Sequence, residues 1–177
     1  AAQVAEQLPA MQHARDGPGL VEIKPAMTAD EVARLWSARR ALSRAVKAIA
    51  PLKINEDIVV PVSQLVELTA RIDTLAHHYD LPIVSFGHAG NGNLHVNIMV
   101  HPERADELAR AQACLQALFE TVLQLGGTLS GEHGIGAAKR AFVPLEIPAD
   151  TLALMRAIKR EFDPHGILNP GKLFPDA

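Results

Sequence analysis

Apolar residues recur at helical spacing in four stretches of the chain. The first follows Thr28, which stands three residues before Glu31 in the pattern of a capping box and predicts a helix start there. A second helix is predicted from an N-cap at Ser63 to about Tyr79. Two more helices are predicted, one from about Glu103 to the glycines at 126 and 127, and one from about Ala149 to Phe162.

Between these helices lie shorter stretches with the alternation or β-branched content of strands. An extended segment, "INEDIVVPVSQ", ends at Pro61, and "PIVSFGH" and "NLHVNIMVH" also read as strands. A further strand is predicted in "GTLSGEHGIG", running into a glycine-rich loop. Helices interleaved with a hairpin predict an α+β domain, in which helices cover one face of a central, largely antiparallel sheet.

Composition narrows the class of protein. The 177 residues are 48% apolar with a formal net charge of −3, which suits a globular domain and gives no basic surface for nucleic acid. No apolar run reaches the roughly 18 residues that span a bilayer. The single cysteine, Cys114, lies in an apolar helical stripe, where we expect a buried core residue and a reducing compartment. We therefore expect a cytoplasmic protein. A cytoplasmic protein attached peripherally to the inner membrane is also compatible with this expectation.

The chain opens on "AAQVAEQLPA", without an initiating Met, a basic leader or a cleavage pattern. We therefore expect a piece of a longer protein, with residues 1–27 as an N-terminal remnant or linker and residues 28–177 as the domain.

The stretch "FGHAGNGNLHVN" holds the first candidate chemistry. Asn91 and Gly92 predict a two-residue type I′ turn, because both central positions of that turn need positive φ. With this turn His88 lies directly opposite His95, and both imidazoles share one face of the hairpin. Two interpretations of this pair stay open. The histidines could bind a divalent metal, since imidazole is a common metal ligand, or they could be solvated side chains on the surface of an exposed hairpin.

A second glycine-rich stretch, "GGTLSGEHGIG", adds Glu132 and His133. A carboxylate joined to two imidazoles makes a His/His/Glu set that leaves metal positions open for substrate. Adjacent strand residues point to opposite faces, so either one of the two reaches the site or a glycine bulge turns both toward it. The alternative is a capping carboxylate beside a solvated histidine. The glycine spacing fits neither common nucleotide-binding loop.

Arg39 is unusual because it falls on the apolar stripe of the first predicted helix, between Trp36 and Leu42. Two interpretations stay open: a side chain that reaches the rim of the apolar face, or a guanidinium held in a cleft to bind a carboxylate in bidentate fashion. Lys53 is a candidate second cation.

Five motifs together resemble the C-terminal region of FAD-linked oxidases related to the glycolate oxidase flavin subunit, D-lactate dehydrogenase and D-2-hydroxyglutarate dehydrogenase. They are "LWSARRALS", "KINEDIVVP", "GHAGNGNLH", "GGTLSGEHGIG" and "DPHGILNPGKLFP", and the resemblance runs from about residue 28 to 175. It implies the cap, or substrate, domain of a flavoprotein: an α+β unit with ferredoxin-like elements, whose partner is a separate FAD-binding domain of the same polypeptide.

The resemblance also implies roles for individual residues. It makes His133 the residue that takes the substrate hydroxyl proton, and it places Asn169 near the flavin domain. The implied ligands of a divalent metal (Zn, Mn or Fe) are His88, His95 and Glu132. The implied substrate-binding residues are Arg39, Ser43, Lys53 and Asn97. Asn91 departs from the pattern, since many members of the family have Asp at that position.

The function implied by the resemblance is oxidation of a 2-hydroxy acid, with hydride passing to flavin N5 while a metal assists deprotonation of the hydroxyl. The piece alone is expected to be inactive. Expected partners are the FAD-binding domain, the hydroxy acid, and an electron-transfer or iron–sulfur protein, with self-association also expected. Two other classes stay open: a stand-alone metal-dependent hydrolase and a non-catalytic assembly domain of a redox complex.

Overall fold

The computed structural model describes residues 25–175, together with Glu6 and Pro9. Residues 1–45 and 46–177 form two compact units. In the first unit, helix α1 spans Ala29–Ala45. Its start confirms the predicted capping box, because the Glu31 carboxylate accepts the Thr28 N–H at 2.9 Å and the Thr28 hydroxyl accepts the Glu31 N–H at 3.3 Å.

The second unit contains a three-stranded sheet and four α-helices among its described residues. The strands are β1 (Leu52–Val59), β2 (Ile83–His88) and β3 (Asn93–Val100). The helices are α2 (Leu65–Tyr79), α3 (Ala105–Gln124), α4 (Val143–Glu146) and α5 (Ala149–Phe162). Single 3₁₀ turns cover Val46–Ala48, Val62–Gln64, Ala89–Asn91 and Arg140–Phe142. The helices in the described part of the chain are too short or too polar to span a membrane.

The strands are antiparallel in the order β1–β3–β2, which confirms the predicted α+β class. Helices α2 and α3 cover one sheet face, where apolar side chains from all three strands and both helices form the core. The largest fully buried core residues are Phe119, Ile58, Leu68, Ile98, Leu118, Leu129, Val60, Val96, Val100 and Val122. Cys114 is fully buried among them, as predicted.

The opposite sheet face is polar toward the β2–β3 loop and apolar at its other end. Met99 is fully buried there against Val46, Ala50, Val84 and Phe86. Alternation along β3 places Asn93, His95 and Asn97 on this second face, in line with Met99. The polar end of this face therefore carries the candidate chemistry.

Two sequence predictions, one about the start of a helix and one about a strand, are wrong. Helix α2 does not begin at an N-cap on Ser63, because Val62–Gln64 form a 3₁₀ turn and Gln64 stands at the N-cap without a side-chain bond. The segment that begins at Thr128 is not a strand, since its ladder is limited to one antiparallel bridge between Thr128 and Val59.

The predicted type I′ turn is also wrong. Asn91 lacks the positive φ that this turn needs; it ends a 3₁₀ turn, and its side-chain oxygen accepts the Asn93 N–H at 3.3 Å. Of the two residues predicted at the centre of the turn, only Gly92 has a left-handed backbone, at φ 76°. The connection thus takes four residues, so that His88 pairs with Asn93 and Phe86 pairs with His95.

Candidate metal and catalytic centre

Three side chains that lie far apart in the sequence converge on the polar face of the sheet. His88, His95 and Glu132 each offer a ligand atom, and these atoms all lie within 4.8 Å of one another. The Glu132 carboxylate lies between the imidazoles, 3.6 Å from Nε2 of His88 and 3.9 Å from Nε2 of His95. This convergence was predicted from the sequence.

The hairpin brings the two histidines together diagonally rather than directly. The register is shifted by two residues from the predicted one, and a shift of two keeps every side chain on its face, whereas a shift of one would reverse them all. The rings of His88 and His95 therefore still meet on one face, with centroids 5.6 Å apart. The predicted shared face is correct although the pairing is not.

Glu132 and His133 reach the site on a loop that wraps around a buried carboxylate of β1. Asp57 lies directly opposite His95 across the two strands and is fully buried. Its Oδ2 accepts the N–H groups of Gly131 at 3.0 Å, Glu132 at 2.5 Å and His133 at 2.8 Å. Three successive N–H groups aimed at one oxygen curve the backbone, and a curved backbone cannot continue as a strand.

Close packing under the loop requires a glycine. A Cβ on Gly131 would lie 1.9 Å from Nδ2 of Asn93 and 2.7 Å from Cγ2 of Val59, far inside contact distance. Asn93 is itself 2% exposed, so it has little room to yield. The loop therefore sits directly on the face that carries His95.

A buried lysine balances the charges beneath the loop. Lys139 is 4% exposed, and its Nζ lies 2.5 Å from Oδ1 of Asp57 and 3.2 Å from Oε2 of Glu56. Burial by itself would raise the pKa of Asp57, but the ammonium of Lys139 and the N–H groups of the loop hold that pKa well below its usual range. Burial raises the pKa of Glu56, against the opposing effect of the same ammonium.

His133 lies beside the three converging residues. Its ring stacks on that of His95 with centroids 5.4 Å apart and an interplanar angle of 22°. Its Nδ1 lies 3.6 Å from Oδ1 of Asp57, and half of the side chain is exposed. Both Glu132 and His133 therefore reach the site. The sequence left open whether one or both of these residues reach the site, and both do. The curvature of the loop, and not a β-bulge, turns them toward it.

The donor set fits a divalent metal. Two imidazoles and one carboxylate suit Zn, Mn and Fe, and tetrahedral ligands at about 2.0–2.1 Å from an ion lie about 3.3–3.4 Å apart. The two nitrogen–oxygen distances of 3.6 and 3.9 Å are close to that spacing. The side chains of His88 and Glu132 are 45% and 49% exposed, so rotations about their side-chain bonds can close the remainder.

Comparison with known proteins gives the family. The profile of the FAD linked oxidases, C-terminal domain, matches residues 1–173. The chain belongs to this family. It is 38% identical over 154 residues to glycolate oxidase subunit GlcD of Bacillus subtilis (strain 168), covering 87% of this chain and 33% of that protein. The resemblance read from the sequence motifs is thereby confirmed.

Other relatives carry related names. A D-2-hydroxyglutarate dehydrogenase of Xanthomonas citri pv. viticola is 36% identical over 149 residues, covering 81% of this chain and 31% of that protein. A D-lactate dehydrogenase of Anaerostipes hadrus is 34% identical over 155 residues, covering 87% of this chain and 32% of that protein. The chain thus spans about a third of the length of the curated relatives it matches.

The substrate-binding residues implied by the resemblance fall in both units of this FAD-linked oxidase domain. Arg39 is partly buried on α1, where Leu35 and Trp36 of the apolar stripe are each 59% exposed. Ser43 lies on the same helix, and its side chain is outside what the structure describes. Lys53 is partly buried on β1, on the same face as Asp57 by alternation.

Asn97 lies two residues beyond His95 on the same face and is fully buried. Its Nδ2 donates to the backbone oxygens of Val84 at 3.0 Å and His95 at 3.4 Å. Its Oδ1 is buried and has no hydrogen-bond partner among the described residues, so it is a polar atom whose partner remains to be explained.

Asn169, the predicted cofactor contact, lies in the C-terminal tail of the FAD-linked oxidase domain. It has a left-handed backbone, at φ 48°, and lines an open groove of about 540 Å³ together with Lys159, Lys172 and Phe174. Its contact with a flavin domain stays a prediction.

Sequence reasoning missed the residues that hold the loop in place, Asp57 and Lys139. One signal was available: "INEDIVV" sets two adjacent carboxylates inside a β-branched strand, where one of the two must face the apolar side. The sequence holds no such indication for Lys139, because the residues around it, after the glycine-rich loop, show no hydrophobic periodicity.

Proposed function

We propose that this chain is the substrate- and metal-binding domain of an FAD-dependent dehydrogenase that oxidises a 2-hydroxy acid. The observation that carries the proposal is the convergence of His88, His95 and Glu132, with His133 beside them, in a member of the FAD-linked oxidase family. Three curated relatives bear names of 2-hydroxy-acid oxidoreductases.

His88, His95 and Glu132 would hold the metal. The chemistry supplied from outside the chain is hydride acceptance by FAD and, from a bound divalent ion, a lower pKa for the substrate hydroxyl. The exposure of His88 and Glu132 leaves this centre open to solvent and therefore to a substrate.

His133 is proposed to remove the hydroxyl proton. Its Nδ1 faces the buried carboxylate of Asp57, so Nε2 is the ring nitrogen left to accept a proton from substrate. The contact with the Asp57 carboxylate would thus determine which ring nitrogen of His133 faces the substrate.

Substrate recognition needs cationic groups, since a 2-hydroxy acid carries a carboxylate. Arg39 and Lys53 are the proposed partners of that carboxylate, with the Ser43 hydroxyl as a further donor. Within the second unit, the Oδ1 of Asn97 is the buried acceptor proposed to meet the bound molecule, directly or through water.

The wider setting is proposed on the same basis. The FAD-binding domain would be a further part of the same polypeptide, Asn169 would lie near it, and electrons would leave through an electron-transfer or iron–sulfur partner. We propose a cytoplasmic location, peripheral to the inner membrane where such a partner lies there, and no nucleic-acid partner.

The test is calorimetric titration of the purified chain with zinc and with manganese, at a pH above 7 so that protons do not compete for the imidazoles. The wild-type chain should bind one ion. The variants His88→Ala, His95→Ala and Glu132→Ala should each weaken binding by at least about tenfold, because each removes one of three protein ligands.

His78→Ala serves as the matched control, since His78 is an exposed histidine in the last turn of α2 and is outside the ligand cluster. It should bind like the wild type. Equal binding by the wild type and the three ligand variants would overturn the metal site, and would favour a non-catalytic assembly domain.

A further inference from the structure

We propose that Asp57 is the positioning residue of this centre: its buried carboxylate anchors the backbone of the loop that carries Glu132 and His133. The inference rests on the proposed function for its purpose, although the contacts that carry it belong to the chain itself.

The two oxygens of Asp57 have different partners. Oδ2 accepts the three loop N–H groups of Gly131, Glu132 and His133. Oδ1 faces the ammonium of Lys139 at 2.5 Å and the hydroxyl of Ser130 at 3.3 Å. All of these partners are donors, and a carboxylate is the side chain that can accept from every one of them.

The ion pair with Lys139 alone does not account for this arrangement. To pair with a lysine ammonium, a carboxylate needs only one of its two oxygens. Lys139 also donates to the main-chain oxygen of Leu129 at 2.8 Å and contacts Glu56. Oδ2 is left entirely to the loop. The lysine thus stabilises the buried charge, while the charge itself holds the loop.

Asp57 is also not a further metal ligand. Both of its oxygens are already saturated by donors, and it is absent from the ligand cluster of the described residues. Its effect on the centre is indirect, because it fixes the main chain at Glu132 and His133 and so limits where their side chains can point.

Among the described residues, the main chain of this loop makes few hydrogen bonds other than those to the Asp57 side chain. The single bridge at Thr128 precedes it, and the Gly131 N–H is shared with the main-chain oxygen of Asp57 at 3.0 Å. Gly134, which follows His133, has φ 74° and no atom within 4 Å of the place where a Cβ would stand. Loss of the Asp57 acceptor should therefore free the segment that carries both functional side chains.

Asp57→Asn is the test, because it keeps the shape and replaces one acceptor oxygen with a donor. Asparagine must turn its NH₂ either toward the three loop N–H groups or toward the Lys139 ammonium, and both are donors. Two readouts are measured on the whole chain: hydrogen exchange of the Glu132 and His133 amides by NMR, and zinc affinity by calorimetry.

Glu56→Gln is the matched control. It makes the same chemical change one residue earlier, at a side chain that also contacts Lys139 but makes no bond to the loop among the described residues. Asp57→Asn should speed exchange of the two amides by at least about tenfold and weaken zinc binding by roughly 10–100-fold. Glu56→Gln should change neither by more than about threefold.

The proposal is overturned if both variants behave alike, or if the wild-type amides of Glu132 and His133 exchange at the rate of an open loop. This second outcome needs no variant, so it decides the question even if Asp57→Asn fails to fold. If the wild type binds no zinc, the proposed metal site fails while the exchange data still decide the role of Asp57.

Discussion

Replacing Gly92 with alanine is expected to destabilise the domain by about 2–5 kcal/mol. Gly92 has φ 76°, and an alanine forced into the left-handed region costs about 1–2 kcal/mol. The added Cβ would also lie 1.9 Å from the carbonyl oxygen of Val60, where an ordinary contact is 3.4 Å or more.

That overlap of at least 1.5 Å, the difference between 3.4 and 1.9 Å, must be relieved by moving the main chain. The Val60 carbonyl is backbone, so it cannot rotate away as a flexible side chain would. Overpacking of this kind costs about 1–3 kcal/mol, and the movement also strains the bond from the Val60 N–H to the Gly92 oxygen, now 3.1 Å long. The strain and the overlap together give the expected range.

Gly90→Ala is the internal control, two residues earlier in the same loop. Gly90 has no positive φ and no atom within 4 Å of the position that a Cβ would take, so alanine there should be neutral or stabilise by up to about 1 kcal/mol. Urea unfolding followed by circular dichroism compares the two variants, because the single tryptophan, Trp36, lies in the other unit. Equal unfolding midpoints would refute the close approach of Gly92 to Val60.

Three further predictions concern other parts of the domain. Lys139→Met should cost about 3–5 kcal/mol in urea unfolding, because it leaves Asp57 charged and buried without its ammonium; a loss below about 1 kcal/mol would contradict this. Asp163→Asn should destabilise the fold above about pH 5, because bonds from Lys159 and from the Leu168 N–H hold the pKa of Asp163 below its usual range. Its stabilising effect should disappear as the pH falls through that lowered pKa, so unfolding curves of wild type and variant should converge in acid and differ at neutral pH. Burial raises the pKa of the Cys114 thiol to about 11, so a disulfide reagent at about pH 8 should leave it unmodified in the native chain and react fully in concentrated urea.

The elements that could be predicted from the sequence are those whose signals are local. The capping box at Thr28 and the last helix, Ala149–Phe162, agree with the structure because side-chain spacing within one segment determines them. The shared face of His88 and His95 was also predictable, since strand alternation survives a shift of two residues.

The rest depended on contacts between distant segments. The Asn91-Gly92 turn failed because the Val60 N–H binds the Gly92 oxygen, which adds an interaction from the end of β1 that the hairpin sequence does not reveal. The strand predicted after Thr128 failed because Asp57, more than seventy residues away, draws three successive N–H groups to one oxygen. Long-range acceptors of this kind leave no periodicity in the segment that they shape.

Oδ2 of Asp57 holds the loop through main-chain N–H groups, and this has a consequence for how the site can change in evolution. Any residue but proline at positions 132 and 133 supplies the same donors, so the support does not depend on which side chains the loop displays. Carboxylate and imidazole can therefore be exchanged for other chemistry while the scaffold beneath them is retained. The domain separates the part of the sequence that holds the loop from the part that gives it a reactivity, and each is free to vary on its own.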